Sequence, residues 1–138
     1  MENAKIIVID DDQDIRDSLK AILESRQYTV TTAANRNEGM EKIEAEKPDL
    51  IMLDVMMSSW LDGFDMSKKL KKDPKFKDIP ILMLTGIREK TKMDFSPKEG
   101  GPDWFTVDAY LEKPIQPNVL LSEVEKLLSG KTDNDRSF

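Results

Sequence analysis

The chain contains no cysteine and no histidine. The first absence removes thiolate nucleophiles, disulfides and cysteine-ligated zinc. The second removes an imidazole base, an imidazole metal ligand and a phosphohistidine within this chain. Any chemistry must therefore run on carboxylates, hydroxyls, lysines and backbone. No apolar run approaches the roughly 20 residues of a membrane span, and Met1-Glu2-Asn3-Ala4-Lys5 lacks a signal-peptide pattern. Positive charge is in short supply too: 27 acidic residues stand against 21 basic ones, for a net charge of −6. No basic stripe is present to displace counterions, so nucleic acid is not an expected partner. The run Lys68-Lys69-Leu70-Lys71-Lys72 reads as the solvated face of a helix. The expectation is a soluble, cytoplasmic monomer.

With 138 residues the chain suffices for one domain, which would bury roughly two-thirds of its unfolded surface without a metal or disulfide staple. Three apolar runs stand out: Ile6-Ile7-Val8-Ile9, Leu50-Ile51-Met52-Leu53 and Ile81-Leu82-Met83-Leu84. They do not alternate with polar residues, as expected of parallel strands covered on both faces. Tyr28-Thr29-Val30-Thr31 and Val107-Asp108-Ala109-Tyr110-Leu111 do alternate, which suits half-exposed edge strands. Apolar residues at helical spacing lie between them: Ile15, Leu19, Ile22 and Leu23, and again Leu120, Val124, Leu127 and Leu128 after Pro117. Weaker helices are expected over 35–47, with Met40 and Ile43 inward, and over 63–72, with Met66 and Leu70 inward.

These features predict an α/β fold, a flavodoxin-like doubly wound five-stranded parallel sheet of order 2-1-3-4-5. Pro97, Gly100, Gly101 and Pro102 preclude a long helix between Thr85 and Lys113, which gives an irregular fourth-helix region. The domain is expected to span 1–129, and 130–138, with little to bury, reads as a disordered tail.

In such a sheet, ligands bind at the carboxyl ends of the strands beside the switch in strand order. Asp10 and Asp11, Asp54, Thr85 and Lys113 all fall at strand ends. Each has an ordinary explanation alone, and Asp12 or Asp14 would serve as a helix cap. Together they form a coherent set. Clustered carboxylates repel and need a cation, and Mg²⁺ requires only a couple of carboxylates because it keeps several waters. An Asp in that setting can act as a nucleophile toward phosphorus. The Thr85 hydroxyl and the Lys113 ammonium are then available for the phosphoryl oxygens.

The segments Val8-Ile9-Asp10-Asp11-Asp12-Gln13-Asp14-Ile15-Arg16, Pro48-Asp49-Leu50-Ile51-Met52-Leu53-Asp54-Val55-Met56-Met57, Pro80-Ile81-Leu82-Met83-Leu84-Thr85 and Tyr110-Leu111-Glu112-Lys113-Pro114 resemble, in order, the motifs of response-regulator receiver domains of two-component signalling. The resemblance covers about residues 5 to 128. It implies that Asp54 is the phosphorylation site, Asp11 a direct Mg²⁺ ligand and Asp10 a ligand through water, with the Met56 carbonyl also on the metal. It further implies Thr85 and Lys113 on the phosphoryl group, Tyr110 as an aromatic switch, and a cis bond at Lys113–Pro114. Met56 and Ile87, two residues beyond Asp54 and Thr85, are apolar and imply slow self-dephosphorylation. The implied partners are a histidine kinase or histidine phosphotransfer protein and a downstream protein target, because no effector domain is expected after residue 128. Two departures are visible: the loop Met57-Ser58-Ser59-Trp60-Leu61-Asp62-Gly63 lacks the usual proline, and the segment before Val107 is longer than usual.

Other readings fit less well. A receiver fold used only for phosphorylation-independent docking would not need the full polar set. Asp10-Asp11-Asp12 also resembles the nucleophile motif of haloacid-dehalogenase-type phosphatases, with Asp10 attacking, but Asp14 stands where Thr or Val is expected and the chain is short for that family. An EF-hand is excluded because Ile15 and Ala21 replace the required Gly and Glu. A flavin-phosphate loop is excluded because the aspartates would repel the phosphate.

Overall fold

The computed structural model describes residues 4–54, 60–85 and 108–136. Five parallel strands, β1 (Lys5–Ile9), β2 (Thr29–Ala33), β3 (Leu50–Asp54), β4 (Ile81–Thr85) and β5 (Ala109–Glu112), form one sheet in the order β2-β1-β3-β4-β5. This is the predicted topology. The three unbroken apolar runs are the three central strands, and the two alternating ones lie at the edges.

Alternate residues of the central strands point to opposite faces, and both faces are covered. Ile7, Ile9, Ile51, Leu53, Ile81 and Met83 pack with Ile43, Met66, Leu70 and Phe76. Ile6, Val8, Leu50, Met52, Leu82 and Leu84 pack with Leu19, Leu23, Leu120, Val124 and Leu128. The first set is covered by α2 (Arg36–Glu46) and α3 (Trp60–Lys72), the second by α1 (Gln13–Glu24) and α4 (Pro117–Arg136). Each fully buried Leu or Ile contributes about 1.5–3 kcal/mol of transfer free energy, which is why a strand can be apolar at every position.

Helix starts follow their caps. The Asp12 side chain accepts hydrogen bonds from the backbone N–H groups of Asp14 and Ile15 and opens α1, satisfying donors that have no partner within the helix. Asn35 does the same for α2 by accepting from the N–H of Glu38.

Two boundaries differ from the sequence expectation. Helix α3 begins at Trp60 and not at Gly63, so Trp60, Leu61 and Asp62 belong to a helix and not to a loop. Helix α4 continues to Arg136, past the point at residue 129 where the domain was expected to end. An interior glycine costs a helix only about 1 kcal/mol, so neither Gly63 nor Gly130 ends its helix. The expected irregular region within 86–107 lies outside the described residues. Among the described residues, no helix is long and apolar enough to cross a membrane.

The Lys68–Lys72 run is not merely a solvated face. Lys71 Nζ donates to the Ile79 carbonyl at 3.0 Å and pairs with Asp108 Oδ2 at 2.8 Å. The same Asp108 oxygen accepts from the Ile81 N–H at 2.8 Å. The end of α3 is thereby tied to the starts of β4 and β5, far from the carboxyl edge of the sheet.

Candidate functional site

Register determines what meets at the carboxyl edge. Ile9 lies beside Leu53 in the β1–β3 ladder, so Asp10 and Asp54, the next residues, emerge at the same level. Asp54 is paired with Leu84, and Thr85 with Glu112, which brings Lys113 to that edge from the far side. Four strand ends distant in sequence converge because all the strands run the same way.

One carboxylate oxygen from each of Asp10, Asp11 and Asp54 lies within 4.8 Å of the other two. Asp10 is fully buried, Asp54 is 2% exposed, and Asp11 is open to solvent. Lys113 Nζ sits among them, 3.1 Å from Asp10 Oδ2 and 3.5 Å from Asp54 Oδ1. Two buried carboxylates and one exposed carboxylate lie around the Lys113 ammonium, a concentration of negative charge that suits a further cation.

Asp10 is engaged at every polar atom. Its N–H donates to the Ala33 carbonyl at 3.1 Å, and its carbonyl accepts from Arg16 Nη1 at 2.7 Å. Its Oδ1 accepts from the Asp12 N–H at 2.9 Å, and its Oδ2 from Lys113 at 3.1 Å. The Lys113–Pro114 peptide bond is cis, as the sequence resemblance implied.

Of the residues singled out from sequence, the structure brings Asp10, Asp11, Asp54 and Lys113 together. Thr85 closes β4 at the same edge, while its hydroxyl lies outside the described atoms. Met56 and Ile87 lie outside the described residues. Tyr110, on β5, is half-buried against the core shared with α2 and α3. Asp12 is a helix cap, the ordinary alternative weighed for it. Arg16 had been given no role. Its signal was faint: an arginine in the first turn after the acidic loop, close enough to reach back.

Beside the cluster a groove of about 440 Å³ runs between α1 and the loop after β5, lined by Asp14, Ile15, Ser18, Leu19, Ile22, Lys113, Pro114 and Ile115. Lys113 is therefore shared between the groove and the acidic cluster.

The response regulator receiver domain family model matches residues 6–125. Protein PilH of Pseudomonas aeruginosa is 30% identical over 127 residues, which cover 92% of this chain and 99% of PilH. The alkaline phosphatase synthesis transcriptional regulatory protein PhoP of Bacillus subtilis is 37% identical over 91% of this chain, but the match covers 49% of PhoP. The chain thus spans about half the length of PhoP and, at 53%, of the response regulator MprA of Mycolicibacterium vanbaalenii. Among solved structures, chemotaxis protein CheY4 of Vibrio cholerae superposes with a TM-score of 0.75 at 30% identity, covering 90% of this chain and 98% of that one. A CheY-like receiver domain protein of Methanospirillum hungatei gives 0.76 at 28% identity, covering 95% and 98%.

Proposed function

The chain belongs to the response regulator receiver domain family of two-component signalling, and from that premise we propose that Asp54 accepts a phosphoryl group and thereby switches a protein-interaction surface. The observation that carries the reading is the Asp10, Asp11 and Asp54 cluster, with carboxylate oxygens within 4.8 Å of one another and Lys113 against two of them. Receiver domains are signalling domains, and the chemistry they need is modest. Phosphoryl transfer asks mainly for alignment and for stabilisation of charge on the equatorial oxygens.

In this reading an Asp54 oxygen attacks phosphorus in line with the bond to the donor. The P–N bond of a phosphohistidine breaks, its electron pair returns to the imidazole nitrogen, and an aspartyl phosphate forms. Lys113, already 3.5 Å from Asp54 Oδ1, neutralises one phosphoryl oxygen. The Thr85 hydroxyl donates to another, and Tyr110 reports the change to the surface.

The donor set suits Mg²⁺, a hard cation that takes carboxylate, carbonyl and water oxygens. Asp11, exposed, would bind directly, Asp10 through water, and Asp54 and the Met56 carbonyl would complete the protein's share. When bound, the ion supplies positive charge that balances the carboxylates and the incoming phosphoryl oxygens.

The phosphodonor is a histidine kinase or a histidine phosphotransfer protein. Its histidine must reach bonding distance of Asp54, so it must also cover the mouth of the site, and the apolar groove of Ile15, Ile22, Pro114 and Ile115 offers it a seat continuous with Lys113. In this reading the receiver unit is 1–129, with the end of α4 running beyond it, and the protein is a cytoplasmic monomer that passes its signal to a protein target. Attack by Asp10, as in a dehalogenase-type phosphatase, is disfavoured, because its Oδ1 accepts from the Asp12 N–H and its Oδ2 from Lys113.

The test is intact-mass measurement after incubation with Mg²⁺ and acetyl phosphate. Wild type should gain one phosphoryl group, and neither Asp54→Asn nor wild type in EDTA should do so. Absence of the gain in wild type would leave the docking module as the better reading.

A further inference from the structure

We infer that Arg16 is a positioning residue for the acidic cluster, acting through the peptide unit that joins Asp10 to Asp11. The inference rests on the metal-dependent reading above. Arg16 Nη1 donates to the Asp10 carbonyl at 2.7 Å, and that carbonyl belongs to the Asp10–Asp11 peptide. Turning this peptide plane would redirect the bonds by which both carboxylates leave the backbone. The two sides of the turn are fixed independently. Asp10 N–H is still in the sheet through Ala33, at 3.1 Å, while Asp12 is already the cap of α1. The Asp10–Asp11 peptide is the short span between them, and Arg16 reaches back from the first turn of α1 to hold it.

Two effects of Arg16 on a divalent cation oppose each other, and their signs differ. As a charge near a cation site, the guanidinium repels Mg²⁺, so its removal would tighten binding. As a clamp on the loop, it presents Asp10 and Asp11 in register, so its removal would weaken binding. Arg16 is half-buried, so its repulsion is only partly screened, but partners that orient metal ligands commonly matter by tenfold or more. Positioning should prevail.

The experiment is calorimetric titration of Mg²⁺ into wild type, Arg16→Ala, Arg16→Gln and Arg16→Lys, with the melting temperature of each recorded without metal. The Ala and Gln variants should bind Mg²⁺ about tenfold more weakly, and Lys, which keeps one donor and the charge, should recover part of that loss. The Gln variant carries the test if Ala does not fold. Mg²⁺ binding by the neutral variants that equals or exceeds wild type would overturn the positioning role while leaving the functional reading intact. If wild type itself takes up no Mg²⁺, the functional reading falls and this inference with it.

Discussion

Lys113 Nζ lies 3.1 Å from Asp10 Oδ2, joining the end of β5 to the end of β1 across 103 positions of sequence. The contact makes one ammonium serve two purposes, since the same nitrogen is 3.5 Å from Asp54 Oδ1. In the proposed phosphoryl transfer it would offset carboxylate charge first and phosphoryl charge afterwards. Replacing it should therefore move two measurements in opposite directions. Lys113→Ala should bind Mg²⁺ more tightly, because ammonium and metal compete for the same carboxylates. The same variant should take phosphate from acetyl phosphate about a hundredfold more slowly, the usual cost of losing one donor to developing charge. Calorimetry and the time course of intact mass read the two effects separately, and an unchanged phosphorylation rate would count against the assigned role.

Asp54→Asn should block phosphoryl uptake and, in the absence of Mg²⁺, raise thermal stability. Asp10 and Asp54 are both buried, at 0% and 2% exposure, with Asp11 close by, so neutralising one relieves repulsion within the cluster. A gain of about 1 kcal/mol, or about 4 °C in Tm, is expected. Saturating Mg²⁺ should narrow the gap, since a ligand that binds only the folded state stabilises it. A variant that melts below wild type without metal would show that the Lys113 pair outweighs the repulsion.

Asp11→Ala should weaken Mg²⁺ binding more than Asp10→Ala. Both carboxylate oxygens of Asp10 are occupied, by the Asp12 N–H and by Lys113, whereas Asp11 is exposed. A ligand acting through water can be partly replaced by solvent, and a direct one cannot. Equal loss in the two variants, measured by calorimetry, would contradict the division of roles.

The parts of this molecule legible in sequence are those set by local pattern or by the direction of the sheet. Ile6–Ile9, Leu50–Leu53 and Ile81–Leu84 could be assigned to central strands because only strands covered on both faces tolerate unbroken apolar runs. Once these were parallel, the convergence of Asp10, Asp11, Asp54 and Lys113 followed, since parallel strands end on one edge. The start of α3 was less legible, because Gly63 looks like a boundary and its helix penalty is small enough for packing of Met66 and Leu70 to override. The Arg16 contact with the Asp10 carbonyl and the Lys71–Asp108 tether were not legible at all. Both depend on where a long flexible side chain finds an acceptor in three dimensions, and sequence spacing does not specify that.

The start of α2 should show a distinct acid sensitivity. Asn35 accepts from the Glu38 N–H at 2.9 Å, while Glu38 Oε1 accepts from the Ala34 N–H at 2.8 Å, a reciprocal cap of the helix entry. The Ala34 hydrogen bond, and next the Lys42 ammonium, hold the Glu38 carboxyl below its ordinary value of 4.5. A lowered folded value means that the stabilisation is fully present above the unfolded value near 4.5 and drains away as pH falls through the folded one. Glu38→Gln should therefore lower stability slightly at pH 7, by well under about 1 kcal/mol because the side chain is exposed to solvent screening. The difference from wild type should vanish in strong acid. Asn35→Ala removes the other half of the cap and should cost about 1 kcal/mol with little pH dependence of its own. Thermal unfolding across the acid range checks both, and a Glu38→Gln deficit that persists below the carboxylate range would refute the electrostatic origin.

Gly39 gives the last expectation, which links packing to the site. It sits in α2 against β1, and a Cβ added there would lie 2.7 Å from Ile9 Cδ1, 3.1 Å from its Cγ1 and 3.3 Å from its Cγ2. Alanine would improve helix propensity by about 1 kcal/mol. Ile9, however, is fully buried within the core shared with α2 and α3 and has little room to yield, and overpacking of this kind costs about 1–3 kcal/mol. Gly39→Ala should therefore destabilise by about 1 kcal/mol net. The Ile9→Val background removes Cδ1, the atom in the tightest contact, so adding Gly39→Ala there should be close to neutral or stabilising. Because Ile9 directly precedes Asp10, the strain of the single variant should also shift Asp10 and weaken Mg²⁺ binding, and the double variant should restore it. Denaturant unfolding and calorimetric Mg²⁺ titration of the four proteins complete the cycle. Additive effects in both measurements would mean that the Gly39–Ile9 contact is not what places Asp10.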